Sequence, residues 1–492
     1  MTTPQTLAPI IGTTIVLYVA LMIVIAGRSR RRIASVEDYV VAGRRLPFWL
    51  VMPTLLATWF GAGTMLAVSD EVRARGLGAA ALDPIGAGVC LILAGLLIAA
   101  PLWRMRLLTV PDFFARRFGR PAEILASVLM VPAYFGWIAA QYVALAGILQ
   151  LFFGIDMVWG TALVAAFGAL YTLMGGMWAV TLTDAVQLSL VVVGLVVMLV
   201  VVLMGLGDGS VSDGWSELFA STPAERQRLI PTESLGELAG WIGLFCAGAL
   251  GNLPGQDLGQ RIFAARSAGV ARAACVVAGL LYLSLGAIPV LLALAADLLI
   301  PGAHEQATLP LLATAFLTPP LAVLFVVTVI SVVLSTIDSA ILSPATVVAQ
   351  NLLRPTVGDR VDLLRLNRLA VLGVAASSLA VAYAGESAFS LLESSYELGL
   401  VSLLVPLLGG LYLPRSQAAA LASMIVGTGT WLLHMGLGWE TLLAVDAPLP
   451  MGLGCAAIAA TVYLLGPRAT SPSGDGSPAS EDRSDSADAQ RS

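Results

Sequence analysis

Residues Leu321–Val348 read LAVLFVVTVISVVLSTIDSAILSPATVV. The stretch is long enough to cross a bilayer and is almost wholly apolar. Near its middle sits Leu334-Ser335-Thr336-Ile337-Asp338-Ser339. Three hydroxyls and a carboxylate therefore fall at or just past the centre of a membrane span. Polar groups there are costly and face a cavity, an ion path or a neighbouring helix. A hydroxyl cluster with no basic partner nearby suits a small hard cation better than an anion.

The rest of the chain agrees with a membrane solvent. It has 492 residues, 58% hydrophobic and 12% charged, with a mean hydropathy of +0.89. This excludes a soluble globular protein and implies an all-α polytopic membrane protein. Cys90, Cys246, Cys275 and Cys455 all lie inside apolar segments without metal-ligand spacing, so neither disulfides nor zinc are expected. Met1–Gly27 is not a cleavable signal, because its basic cluster follows the apolar stretch.

Apolar segments fall near 7–27, 47–68, 79–101, 122–153, 158–175, 178–206, 239–254, 271–300, 319–349, 366–385, 388–413, 417–437 and 450–466, about thirteen spans. With the N-terminus outside, 22 arginines lie on the inner side and only Arg73, Arg75, Arg226 and Arg228 outside. This positive-inside asymmetry sets the orientation and supports the span count. The location expected is the bacterial cytoplasmic (inner) membrane. Gly207–Gly236 is the one sizeable outer loop, with room for a short amphipathic helix. Thr470–Ser492 is rich in Ser, Asp, Gly and Ala, and is expected to be a disordered cytoplasmic tail.

Two spans carry helix-breaking chemistry. The second reads PTLLATWFGAGT over Pro53–Thr64, and the seventh reads GALGNLPGQ over Gly248–Gln256. Glycine weakens a helix and proline removes a donor. Broken spans at matching places in two halves point to a transporter binding site. The two are five spans apart, as a five-plus-five inverted repeat gives. The expected organisation is 1–46, first span and basic loop; 47–206, first repeat; 207–238, outer loop; 239–415, second repeat; 416–467, two accessory spans; and 468–492, tail. Unwinding the second span would free the Ala57 and Phe60 carbonyls. They would face the Ser335 and Thr336 hydroxyls, with the Val332 carbonyl one turn earlier. Five oxygens without formal charge suit a monovalent cation.

These residues resemble the sodium/solute symporter family, which has the LeuT-type fold. The match runs through Ala42-Gly43-Arg44-Arg45-Leu46-Pro47 into Leu56-Ala57-Thr58-Trp59. It continues through Leu108–Gly119, Tyr171–Val180 with Thr183-Asp184, then Pro254, Gln256, Gln260-Arg261 and Leu334–Ser339. The resemblance covers roughly residues 10–415. It implies coupled uptake of a small organic solute (amino acid, quaternary amine or short carboxylate) with sodium, and no nucleic acid partner. No cofactor is implied beyond sodium as the coupling ion. It places sodium on Ala57, Phe60, Val332, Ser335 and Thr336. Asp184, with Asp338, is assigned to cation access; the other reading of Asp184 is a partner for a nearby Arg or Thr.

Asp83-Pro84-Ile85-Gly86 and the Trp59 position are similar to the choline-transporter branch, which binds a quaternary ammonium between aromatic rings. That branch has Trp after the seventh-span Pro, where this chain has Gly255, so one aromatic wall is missing. Trp59, Trp137, Gln141, Tyr142, Gln256 and Glu397 form the expected substrate site. Glu393 and Glu397 lie four apart, on one helix face. A helix starting at Ala388 puts Glu397 about 14 Å deep; one starting at Leu398 leaves both acids at the interface. His304 and His434 stand away from other ligand types. The chain lacks a nucleophile–base pair or paired haem histidines, so an intramembrane enzyme is not expected. Proton coupling through Glu397 or Asp184, and a transporter-like sensor with a separate signalling partner, are the alternatives.

Overall fold

The computed structural model describes residues 8–29, 33–301, 307–385, 387–413, 415–439 and 449–468. His304, the arginines at 30–32 and the tail expected from 470 onward lie outside the described residues. Helices occupy all the predicted spans. Among the described residues ten are long and apolar enough to cross a membrane, or eleven with one bent pair taken as a single span. The shorter apolar helices Met157–Leu173 and Met451–Leu465 fall on the two remaining predictions, so about thirteen spans requires counting both.

Local chemistry marks several starts. Ser234, Ser267, Ser387 and Ser416 each accept a backbone N–H three residues on, capping the seventh, eighth, eleventh and twelfth spans. The eleventh helix therefore begins at Ala388, which selects the deeper placement of Glu397. The loop helix is present as Val211–Ser221. After it, Arg226 pairs with Asp297 of the eighth span at 2.7 Å, and its carbonyl accepts Leu77 N at 2.9 Å.

The ninth span, Pro319–Val357, is the centre of the bundle. In its most apolar stretch 72% of residues are buried, against 22% in the first span, Ala8–Arg28. The second span is broken into Phe48–Trp59 and Gly63–Arg75, bent by 54°. Its first half packs on the sixth, eighth and ninth spans. The seventh runs Leu235–Gly251, breaks, and resumes as Gln256–Ala264. The predicted span 239–254 thus ends at the break. The second half was not legible as membrane-embedded because it carries Asp257, Gln260 and Arg261, yet all nine of its residues are buried in protein.

At the basic end, Leu46 N donates to Ala264 O at 3.0 Å and Arg266 N to Leu46 O at 2.9 Å. The start of the second span is thereby zipped to the end of the seventh. Halfway along the seventh, a Cβ on Gly399 would sit 2.2 Å from Gly251 O, so the seventh and eleventh spans touch backbone to backbone. Gly399→Ala is expected to lower the thermal midpoint of the solubilised protein, through roughly 1–3 kcal/mol of overpacking. An unchanged midpoint in a thermal unfolding scan would contradict this contact.

Candidate functional site

The site is built where the second span stops. Phe60 leaves helical geometry at φ −77° and ψ 80°. Gly61 N turns back to Trp59 O at 2.9 Å, so Ala57 O faces the ninth span instead. Ser335 Oγ donates to Ala57 O at 3.0 Å and lies 2.8 Å from Val332 O. Thr336 Oγ1 is 3.5 Å from Ala57 O and 3.1 Å from Val332 O. Each hydroxyl has one proton and sits beside two carbonyls. Oxygen lone pairs therefore outnumber hydrogens in this cluster, which is buried throughout. Phe60, the fifth residue expected here, is the break itself, and its ring meets Tyr282 edge-on at 5.6 Å.

Two more groups at the break are also satisfied within the protein. Tyr282 OH donates to Trp59 O at 3.0 Å. Ala62 N, at the start of the second half, donates to Gln141 Oε1 at 2.7 Å. Tyr282 OH and Thr64 Oγ1 also bond the buried Asp83 carboxylate at 3.0 Å.

Beside the break lies a small cavity of ≈ 40 Å³ between Trp59, Tyr134, Trp137, Asn252, Asp257 and Tyr396, among others. A solute of several heavy atoms requires these walls to part. Asp257 forms its polar side. Trp59 Nε1 donates to Asp257 Oδ2 at 2.6 Å and Tyr134 OH to Oδ1 at 2.6 Å. Asp257 N donates in turn to Tyr134 OH at 3.0 Å. Tyr134 and Trp137 are 5.8 Å apart between ring centroids.

Of the expected substrate residues, Trp59 and Trp137 line this cavity and four others do not. Gln141 is spent on Ala62 N. Tyr142 is fully buried elsewhere. Gln256 Oε1 accepts Val110 N at 2.7 Å from the loop before the fourth span. Glu397 accepts Trp431 Nε1 at 2.9 Å and packs on Gly452, so it faces the accessory pair. Its neighbour Tyr396 takes the inward position. Asp257, Tyr134 and Tyr396 were missed by sequence reasoning. Tyr134 lies three before Trp137 and Asp257 three after Pro254, spacings that share a face or follow a break, and these were the available signals.

Below the hydroxyl cluster, a polar stripe on the ninth span continues through Ser339 and Ser343 at four-residue intervals. Thr58 Oγ1 donates to Ser339 Oγ at 3.1 Å, and Arg261 donates to the same oxygen at 2.6 Å. Ser343 Oγ donates to Gln260 Oε1 at 3.2 Å, and Gln260 Nε2 to Val40 O at 2.7 Å. Asp338 accepts from Ser339 Oγ at 3.2 Å. Asp184 accepts from Thr54 Oγ1, tying the sixth span to the second. Asp184, Asp338 and Arg261 feel one another's charge. Outside the spans, burial pushes the Asp38 carboxyl up. Hydrogen bonds from Ser35 and Ala34 and the Arg45 guanidinium outweigh that, holding it below the ordinary carboxylate range.

A family model described as the sodium:solute symporter family matches residues 39–427. The chain belongs to this family. Curated relatives include the high-affinity choline transporter 1 of Caenorhabditis elegans, 27% identical over 84% of this chain and 73% of that protein. The human high affinity choline transporter 1 is 28% identical over 80% and 70%. Among solved structures, a Na+-coupled sialic acid symporter in a substrate-bound outward-open state matches with a TM-score of 0.73. The match is 20% identical and covers 94% of this chain and 99% of that one. A nucleobase-cation-symport-1 family transporter matches at 0.59 and 14% identity, over 87% and 94%. The fold of this symporter-family chain is LeuT-type, an integral membrane architecture.

Gln141→Ala would leave Ala62 N without its acceptor inside the bundle, a cost of about 1–3 kcal/mol. The expected outcome is a lowered thermal midpoint with or without solute. A loss confined to solute affinity would instead return Gln141 to the pocket.

Proposed function

We propose that this protein imports a small organic solute with sodium across the bacterial cytoplasmic membrane by alternating access, with its N-terminus outside. The observation that carries the reading is the meeting of Ser335, Thr336 and Val332 with Ala57 at the second-span break. Uncharged oxygens in a closed group suit a monovalent hard cation, whereas a divalent ion usually takes carboxylates. On this reading Ala57, Phe60, Val332, Ser335 and Thr336 are the sodium ligands.

Coupling follows from chain distance. Trp59 is two residues from Ala57 and is a wall of the solute cavity. A cation that holds Ala57 against the ninth span also fixes that wall. Solute affinity then rises with sodium, and sodium affinity with solute, by the same factor. The aromatic lining and the choline-transporter relatives support an amine-type solute. The family's description supports both the ion and the solute class of transport. The spacing of the two broken spans supports residues 47–206 and 239–415 as the two repeats. Proton coupling is the competing reading, and the burial of the Asp184 and Asp338 carboxylates inside the bundle is what favours it. Glu397 has little part in either, given its contact with Trp431.

Ser335→Ala and Thr336→Ala are each expected to raise the sodium concentration for half-maximal uptake by about tenfold, ~1.4 kcal/mol. Unchanged sodium dependence in both variants would overturn the assignment. Asp184→Asn should leave uptake sodium-dependent; uptake that instead loses its pH dependence and ignores sodium would favour the proton.

A further inference from the structure

We propose that Asp257 makes this pocket selective for an organic cation that carries N–H donors, a protonated amine, over a quaternary ammonium. The inference rests on the symporter reading above and names the substrate class of its pocket.

Asp257 is 4% exposed and lines the cavity. Its carboxylate is held by two neutral donors, Trp59 Nε1 and Tyr134 OH, one on each oxygen. Each oxygen keeps a second acceptor direction. Among the described residues Asp257 forms no ion pair. Arg261, one turn on, donates to the Asp257 backbone carbonyl at 3.1 Å and to Ser339 Oγ at 2.6 Å, and neither bond reaches the carboxylate. A buried carboxylate that is hydrogen-bonded by neutral donors and paired with no cation is a seat for one.

Gly255 leaves the room that the Asp257 carboxylate fills. A Cβ there would meet Asp257 Oδ1 at 2.8 Å, Asn252 O at 2.9 Å and Tyr134 OH at 3.5 Å. The space at the side chain of residue 255 is occupied by the carboxylate. Any side chain at 255 would displace that carboxylate from the cavity side. Aromatic faces hold a quaternary ammonium, which has no donors. A carboxylate gains most from a cation that donates to it, because charge-assisted hydrogen bonds are roughly twice as strong as neutral ones. Trp59, Tyr134, Trp137 and Tyr396 remain to hold the body of the amine.

The test is a thermal-shift titration of the purified full-length protein in NaCl with ethanolamine, N-methylethanolamine, N,N-dimethylethanolamine and choline. Affinity should fall along this series, with ethanolamine at least tenfold tighter than choline. Asp257→Asn should weaken ethanolamine at least tenfold and flatten the series, while Trp137→Ala weakens all four. If Asp257→Asn does not fold, the series on the unaltered protein decides alone. Choline binding as tightly as ethanolamine, or no member binding, overturns the proposal. Repeating the titration in KCl separates the two claims. An undiminished series in KCl overturns sodium coupling and keeps the amine. Stabilisation by sodium with a flat series does the reverse.

Discussion

A backbone cannot be left unpaired inside a membrane, and two helices of this protein break there. Every consequence of the fold runs through the partners those breaks recruit. Ala57 O takes the ninth-span hydroxyls, Trp59 O takes Tyr282 from the eighth, and Ala62 N takes Gln141 from the fourth. Three separate spans are thus bound to the single interruption at Phe60–Ala62. The seventh-span break is closed more locally, with Gly255 N on Asn252 O at 2.9 Å. Its second half is then held by Val110 and Val40 through Gln256 and Gln260.

The two breaks meet in a single hydrogen bond, Trp59 Nε1 to Asp257 Oδ2 at 2.6 Å. One partner is two residues from the oxygen cluster and the other is the polar side of the cavity. The oxygen cluster and the cavity are therefore neighbours through the chain as well as through space. The same two spans are joined again at the basic end by Leu46 with Ala264 and Arg266. The cavity's walls come from the second, fourth, seventh and eleventh spans, so a rearrangement that opens it moves some of these four relative to the others.

Much of this was legible in the sequence. The breaks in the second and seventh spans follow from Gly and Pro within apolar runs, and the Ser335–Thr336 cluster from hydroxyls at the centre of another. What escaped was direction. Glu397 has the right depth, but its helix turns Tyr396 inward and Glu397 towards Trp431. Gln141 lies one turn from Trp137, yet a backbone N–H at the break claims it. Hydropathy also hid the second half of the seventh span. Its Asp257, Gln260 and Arg261 read as a loop until the fold surrounds them with protein. Polar residues that solve a backbone problem and polar residues that meet a ligand look the same in a sequence; only the identity of the freed group separates them.

The central claim is that the oxygen cluster at the second-span break binds sodium. Equilibrium binding of 22Na+ to the purified protein, at constant ionic strength with potassium as the replacing ion, tests it most directly. Saturable binding that unlabelled sodium displaces and potassium does not is the predicted result. Binding that fails to saturate, or that potassium displaces equally well, would contradict it.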